Sequence, residues 1–289
     1  MVNEWGFAKL RTRENICNYS TTNTNENDVV SDLQCDLDNI SKWFDLNRLS
    51  VNIDKSCSMY VTKRQHSDTL ELTMNDNMLG LVTDVQYLGI TLCDDLSWKK
   101  QISNVCRKLG YGISILYRIR KILNQADMIK LYNTIIQPHI DYCITIWGYS
   151  PISQTHRVQR LQNRISRLMT NNYDFTVSPS VLLKQLGIMN VKQIRDYFMA
   201  IQMFKCLNGM SPTYLSDRID YVNDHTSRST HSSTNNNLYV PRPRIEKFRE
   251  SLQYAGPTLY NSLPNYVKDS VNIASFKYHF KKYCFNVLF

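Results

Sequence analysis

The apolar positions of this chain change period along its length, and the changes mark its elements. Leu33, Leu37, Ile40 and Phe44 recur at spacings of four, three and four, which is one face of a helix. Asn27 or Asp28 is placed to cap it, and Asp32, Asp36 and Asp38 then lie toward water, mostly in its early turns. Cys57, Met59 and Val61 next alternate with polar neighbours, as a half-buried strand does. Thr69 to Met74 and Met78 to Val82 flank the turn signal Asn75-Asp76-Asn77 and predict a hairpin, and Val85 to Cys93 predicts a further strand. Residues 1–27 are polar and aperiodic and end in Ser20-Thr21-Thr22-Asn23-Thr24-Asn25, so they predict a disordered lead-in.

From Ser97 the pattern turns helical. Ser97 can cap a helix carrying Ile102, Val105, Leu109 and Ile113, and Gln125 to Gln137 gives another with Ile129, Tyr132 and Ile136 on one face, ended or kinked by Pro138. Residues 154–169 form the most informative helix. Val158, Leu161, Ile165 and Leu168 mark its apolar stripe, and Arg157, Arg160, Arg164 and Arg167 mark a second stripe about a quarter turn away. Further helices are predicted over 178–186, 191–207 and 273–285, the last carrying Lys277, Lys281 and Lys282. The Ser/Thr/Asn-rich stretch 223–237 predicts a flexible loop. The fold class is therefore α+β, one helix plus about four to five strands in a small antiparallel sheet, followed by a mostly helical remainder.

Charge sharpens this division. Residues 1–100 hold 10 Lys and Arg against 15 Asp and Glu, whereas residues 101–289 hold 24 against 10. Such a split points to a polyanionic partner for the basic part, with an ordinary solvated basic surface as the plainer reading. The eight cysteines are scattered with no metal-knuckle or redox-dithiol spacing, and His225 and His231 lie in the polar loop without cysteine partners, so no structural zinc is expected. Reduced thiols in an intracellular protein are the ordinary account of such cysteines. The start of the chain lacks a signal-peptide core and no run reaches the roughly 20 apolar residues of a membrane span, which predicts a soluble chain with no membrane partner.

A succession of short motifs then brings a family into view. Asp36-Leu37-Asp38-Asn39-Ile40-Ser41-Lys42-Trp43-Phe44 runs into Asn47-Arg48-Leu49-Ser50-Val51-Asn52-Ile53-Asp54-Lys55-Ser56, and Val85-Gln86-Tyr87-Leu88-Gly89-Ile90 follows about thirty residues later. Leu131 to Cys143, Ile146-Trp147-Gly148, the arginine helix, Gly256 to Pro264 and Ser275-Phe276-Lys277 continue the series. In order and spacing it resembles the reverse transcriptases of non-LTR retrotransposons, LINE-like elements of the jockey and chicken-repeat type, from just after the catalytic aspartates onward, over roughly residues 28–285. The resemblance implies a partial palm at 28–96, a helical thumb at 97–170 that would grip a template–primer duplex, and a helical C-terminal region at 171–289. It implies RNA or an RNA/DNA duplex as partner.

On that resemblance Lys55 matches the lysine of the fourth palm motif, whose role would be general acid toward the departing pyrophosphate, since an ammonium supplies both a field and a proton. Tyr87, Leu88 and Gly89 match the primer grip, where a tight turn brings backbone to the primer end. The plainer readings are a surface lysine at a strand entrance and a hairpin turn with a buried tyrosine. Arg157, Arg160, Arg164 and Arg167 would meet phosphates.

The family's polymerisation would need magnesium held by carboxylates from an aspartate strand and a Tyr-X-Asp-Asp hairpin. Asn15-Ile16-Cys17-Asn18-Tyr19-Ser20 stands in the hairpin's place and offers no carboxylate, so no metal site and no cofactor are expected in this chain. The pair Asp94-Asp95 is read as a helix-capping acidic turn rather than a relocated metal site. The expectation is a catalytically inactive piece of a reverse transcriptase, of the kind that incomplete copying from the 3′ end of an element RNA leaves behind. The alternatives are an active polymerase whose front end lies outside this sequence, and a helical protein-interaction remnant whose arginines pair internally with acidic groups such as those of 28–45.

Overall fold

The computed structural model describes residues 4–11, 16–23, 26–61, 71–225 and 237–287. They divide into two compact units, Met1–Gln101 and Ile102–Phe289.

In the first unit, strands β1 (Glu4–Arg11) and β2 (Ile16–Asn23) form an antiparallel hairpin, and helix α1 (Glu26–Leu46) follows. The stretch read as a disordered lead-in thus carries two strands. The mostly polar β2 carries no hydrophobic period, and in β1 the apolar Trp5, Phe7, Ala8 and Leu10 do not keep to alternate positions; the backbone is satisfied by pairing, since β1 also runs antiparallel to β3 (Cys57–Val61), Trp5 opposite Val61. The four-stranded sheet has the order β2-β1-β3-β6, where β6 (Gly80–Leu81) lies parallel to β3. The hairpin around the Asn75-Asp76 turn is shorter than its flanks promised, because only β4 (Thr73–Met74) and β5 (Asn77–Met78) pair, with Asn75 and Asp76 both at positive φ; residues 69 and 70 lie outside the described set. Val85 to Cys93 is two strands, β7 (Asp84–Tyr87) and β8 (Ile90–Cys93), joined at Leu88-Gly89. The α1 stripe is buried as its spacing requires, with Val29, Leu33, Leu37 and Phe44 packed on Tyr60, Leu72, Met74 and Leu79, and Ile40 half-buried at the edge.

The second unit is helical. After α2 (Lys99–Ile119) come α3 (Gln125–Leu131), α4 (Gln137–Asp141), α5 (Ile144–Trp147), α6 (Ile152–Thr170), α7 (Pro179–Gln185) and α8 (Val191–Leu207). Short turns α9 (Thr213–Ser216) and α10 (Val222–His225) lead to α11 (Leu252–Ser262), α12 (Asn265–Lys268) and α13 (Ile273–Val287). Of the predicted loop, 226–236 and the side chain of His225 fall outside the described residues. Helix α11 escaped the periodic reading because Gly256-Pro257 sits inside it; both are buried, and Asn261 further along clamps Leu238 through its N–H and its carbonyl, each at 2.8 Å.

Two local departures have clear causes. Between α3 and α4 the backbone widens, Gln137 N–H reaching back five residues to Tyr132, so that Pro138 begins a new helical turn where its missing N–H costs nothing. Helix α2 begins at Lys99 rather than at Ser97, whose own N–H donates to the Asp95 carboxylate at 2.8 Å.

The core joins α8 to the end of the chain. Tyr197, Ala200, Ile201 and Phe204 pack on Leu263, Val267, Phe276, Phe280 and Cys284. Each of the two buried phenylalanines Phe276 and Phe280 contributes about 2–3 kcal/mol by removal from water. Two buried amides hold helices at fixed rotation. Gln162 on α6 is fully buried and donates to Tyr132 Oη (3.0 Å) and the Met189 carbonyl (2.9 Å). Gln193 on α8 closes a capping box with Asn190 and donates to the Cys284 carbonyl at 2.9 Å. Residues on either side of position 170 therefore belong to one packed unit.

Gln162→Leu should cost about 2–4 kcal/mol in urea unfolding, because it strands two buried polar groups at nearly constant volume; a loss under about 0.5 kcal/mol would refute the assignment. The Asp141 carboxyl is pushed up to about 6 by burial, with the Gln137 hydrogen bond and the Lys281 charge opposing. A carboxyl whose folded pKa is raised favours the fold when protonated. The wild type should thus lose stability as pH rises from about 4 through 6, by about 1–2 kcal/mol after allowing for partial solvent screening. Asp141→Asn should lack this loss, read as a pH-independent difference between urea midpoints at pH 4.5 and 7.

Candidate functional site

Lys55 ends a single 3-10 turn, Ile53–Lys55, that leads into β3. Asn52 builds the turn by accepting the Lys55 N–H on its side-chain oxygen at 3.1 Å, and Ser56 Oγ donates back to the Asn52 carbonyl at 2.8 Å. The Lys55 residue is exposed, so its ammonium is presented at the entrance of a central strand.

Tyr87, Leu88 and Gly89 make the β7–β8 turn. Tyr87 pairs with Ile90, leaving Leu88 and Gly89 as the two loop residues at φ 45° and 82°. Two successive positive φ values define a type I′ hairpin. Glycine meets this demand freely, whereas leucine holds a left-handed backbone at a cost of about 1 kcal/mol, with 73% of its surface exposed. The sheet beneath is anchored: Val85 packs on Met59 and Val61 of β3, with Cys57, Val82 and Leu92 around them. Tyr87 is half-buried. The strand Lys55 introduces and the strand Tyr87 ends therefore share one apolar cluster.

Asp94 and Asp95 are occupied with the chain itself. Asp94 Oδ1 accepts the Asp95 N–H at 2.7 Å and Asp95 Oδ1 accepts the Ser97 N–H at 2.8 Å, the geometry of an acidic turn. Among the described residues no group of three or more His, Cys, Asp or Glu side chains could hold a metal ion. Strand β2, which precedes α1, reads Ile16-Cys17-Asn18-Tyr19-Ser20-Thr21-Thr22-Asn23 and contributes no carboxylate. This donor set does not fit a two-magnesium centre.

Helix α6 presents three faces. Val158, Gln162, Ile165, Ser166, Leu168 and Met169 are buried, Leu161 is half-buried, and the arginines lie to one side. The structure separates them. Arg160 and Arg164 are exposed, and among the described residues neither pairs with a carboxylate. Arg157 is half-buried and donates to Gln154 Oε1 at 3.3 Å; its charge and that of Arg160 oppose the burial that pushes the Cys106 thiol up. Arg167 is structural: its guanidinium donates to the carbonyls of Asp174 (2.7 Å) and Val177 (2.9 Å) and lies over the Phe175 ring. The third face of α6, with His156, Gln159 and Asn163, lines a cavity of about 420 Å³ with Lys192 and Arg195. Arg195 is itself paired with Asp196 at 2.7 Å. Sequence reasoning missed Lys192 and His156 because cavity lining comes from separate helices. It also missed Gln162, whose only signal was one polar residue among apolar neighbours at helical spacing.

Lys55 and the Tyr87-Leu88-Gly89 turn belong to the unit 1–101 and the arginines to the unit 102–289. Among the described residues no helix is long and apolar enough to cross a membrane. Cys35, Cys57, Cys93, Cys106, Cys143, Cys206 and Cys284 are free, with Cys93, Cys206 and Cys284 buried and Cys35 exposed.

Leu88→Asn, which creates an Asn-Gly turn, should raise stability by about 0.5–1 kcal/mol in chemical unfolding if the left-handed leucine is strained. Unchanged or lowered stability would show that it is not.

No protein-family model and no solved structure matches the chain. Curated proteins do. The chain is 23% identical over 148 residues to the probable RNA-directed DNA polymerase from transposon X-element of Drosophila melanogaster, covering 50% of this chain and 16% of that protein. It is 24% identical over 138 residues to the RNA-directed DNA polymerase from mobile element jockey of Drosophila funebris, covering 47% and 15%. It is 26% identical over 174 residues to the probable RNA-directed DNA polymerase from transposon BS of Drosophila melanogaster, covering 58% and 19%. The matched segments thus span less than a fifth of these relatives' length. Over about half of its own residues the chain is similar to part of the RNA-directed DNA polymerases of non-LTR mobile elements, as its motif order implied.

Proposed function

We propose that this chain is a nucleic-acid-gripping part of a non-LTR reverse transcriptase and that, by itself, it does not polymerise. The observation that carries the first half is the pair Arg160 and Arg164. They are exposed on an immobilised helix, without a carboxylate partner among the described residues, in the basic part of a chain that is similar to RNA-directed DNA polymerases. Guanidinium forks on a fixed spacing suit successive phosphates of a duplex. On the opposite, buried side of the same helix Gln162 is bonded to Tyr132 and the Met189 carbonyl, which keeps the helix from turning its charged face elsewhere. The second half rests on chemistry. Two-metal nucleotidyl transfer needs carboxylates converging on the ions; β2 has none, and Asp94 and Asp95 serve the acidic turn. Lys55 could protonate a departing pyrophosphate only where other residues hold the metals.

Gel-shift titration of the full chain against an RNA/DNA duplex tests the grip. Binding should weaken linearly in log–log salt plots, and Arg160→Glu/Arg164→Glu should lower affinity at least ~10-fold and flatten the slope by about one unit per lost phosphate contact, with circular dichroism unchanged. No binding at low salt, or binding insensitive to salt, would overturn it. Primer extension with magnesium should give no product; product formation abolished by Asp94→Asn would overturn the second half.

A further inference from the structure

A second surface of the helical unit is built for a different form of nucleic acid. Where α2 ends, Arg120 stacks on the Tyr117 ring with its guanidinium carbon 4.1 Å from the centroid, and donates to Tyr173 Oη at 2.7 Å. Tyr173 sits in the 171–177 loop that follows α6. Arg167 clamps that loop through two carbonyls and lies 4.9 Å over the Phe175 ring. The loop is further tied by Asn172, which accepts the Asp174 N–H at 2.9 Å, and by Asp174, whose carboxylate accepts from Thr176 N–H and Oγ1 at 2.9 and 2.7 Å. Those bonds from Thr176 hold the Asp174 carboxyl below its ordinary range, so the one acid in the loop is spent on the turn. Three rings, Tyr117 at 56%, Tyr173 at 48% and Phe175 at 84% exposure, therefore stand on an ordered support. Arg118 and Lys121 add exposed positive charge beside them.

Water disfavours a phenylalanine held this far out, and a protein core offers it no partner here. Aromatic rings interleaved with guanidiniums are the chemistry that unpaired bases use, each base lying on a ring while cations meet its phosphate. Duplex phosphates need only the charges and make no use of the rings. We propose that Tyr117, Arg120, Tyr173 and Phe175 form a stacking platform for single-stranded RNA or DNA, with Phe175 as the outermost base-stacking side chain and Arg167 as the positioning residue that fixes its loop. The proposal rests on the reading that this chain binds nucleic acid and adds to it the unpaired strand as ligand.

The test uses the full chain with a fluorescein-labelled 12-nucleotide oligo(U) and, in parallel, the RNA/DNA duplex. Phe175→Ala should weaken oligo(U) binding about fivefold or more while leaving duplex affinity within about twofold. Phe175→Trp should retain oligo(U) affinity and report stacking directly, as quenched emission relative to the wild-type chain that inorganic polyphosphate does not reproduce. Equal affinity of wild type and Phe175→Ala for oligo(U) would overturn the platform and leave the duplex reading standing. Absence of binding to either ligand by the wild type would overturn both. Quenching of Phe175→Trp by phosphatidylserine vesicles but not by oligo(U) would overturn the platform in favour of a membrane contact.

Discussion

The helical unit depends on the requirement that a buried amide be fully hydrogen-bonded. Gln162 lies at the centre of the α6 inner face, where its side chain spends both N–H groups on Tyr132 and Met189 and accepts from Gln159 Nε2 at 3.0 Å. Apolar contacts alone tolerate small rotations of a helix, since one methyl replaces another at similar contact area. Three directional bonds do not. Gln193 adds the same constraint to α8, joining its capping box to the carbonyl of Cys284 on the final helix. Rotation of α6 and α8 is thus set by polar bonds inside an apolar core, and the outward position of the charged face follows from it.

That constraint sorts the arginines by work. Arg167 and Arg195 have partners supplied by the fold: backbone carbonyls and a ring for one, Asp196 and the Tyr149 ring for the other. Arg160 and Arg164 have solvent. A charge kept in water is available to a polyanion without breaking anything, whereas recruiting Arg167 would release the 171–177 loop. In the other unit Leu88 shows the opposite arrangement, a left-handed backbone with a local cost of about 1 kcal/mol maintained by an anchored sheet.

Much of the fold was legible because it follows from period. The α1 stripe of Leu33, Leu37 and Phe44 and the full extent of the 191–207 helix satisfy one rule, that apolar residues spaced for a given backbone must share a side; β3 does not, because as an interior strand it buries Ser58 and Tyr60 as well as Met59 and Val61 rather than being half-buried. The elements that escaped are those whose reason for existing is not in their own side chains. Strands β1 and β2 are held by ladder bonds to each other and to β3. Helix α11 contains Gly256-Pro257, which local propensity scores against, and is retained by burial of both residues and by the Asn261 clamp on Leu238. The break between α3 and α4 follows from Pro138, whose presence was visible, but the widened turn ahead of it was not.

For the candidate site the boundary lies elsewhere. The sequence by itself determined residue chemistry: four arginines along one stripe, a Tyr-Leu-Gly turn, a lysine before a strand, and a β2 segment without carboxylates. It determined these because helical spacing and functional groups are properties of the chain alone. Only the tertiary structure decided which arginines face solvent, that Gln162 is interior, and that Arg120 meets Tyr173 although 53 residues separate them. The physical reason is that hydrogen-bond partners and burial are set by segments distant in sequence, so a side chain's availability is fixed only when those segments have packed.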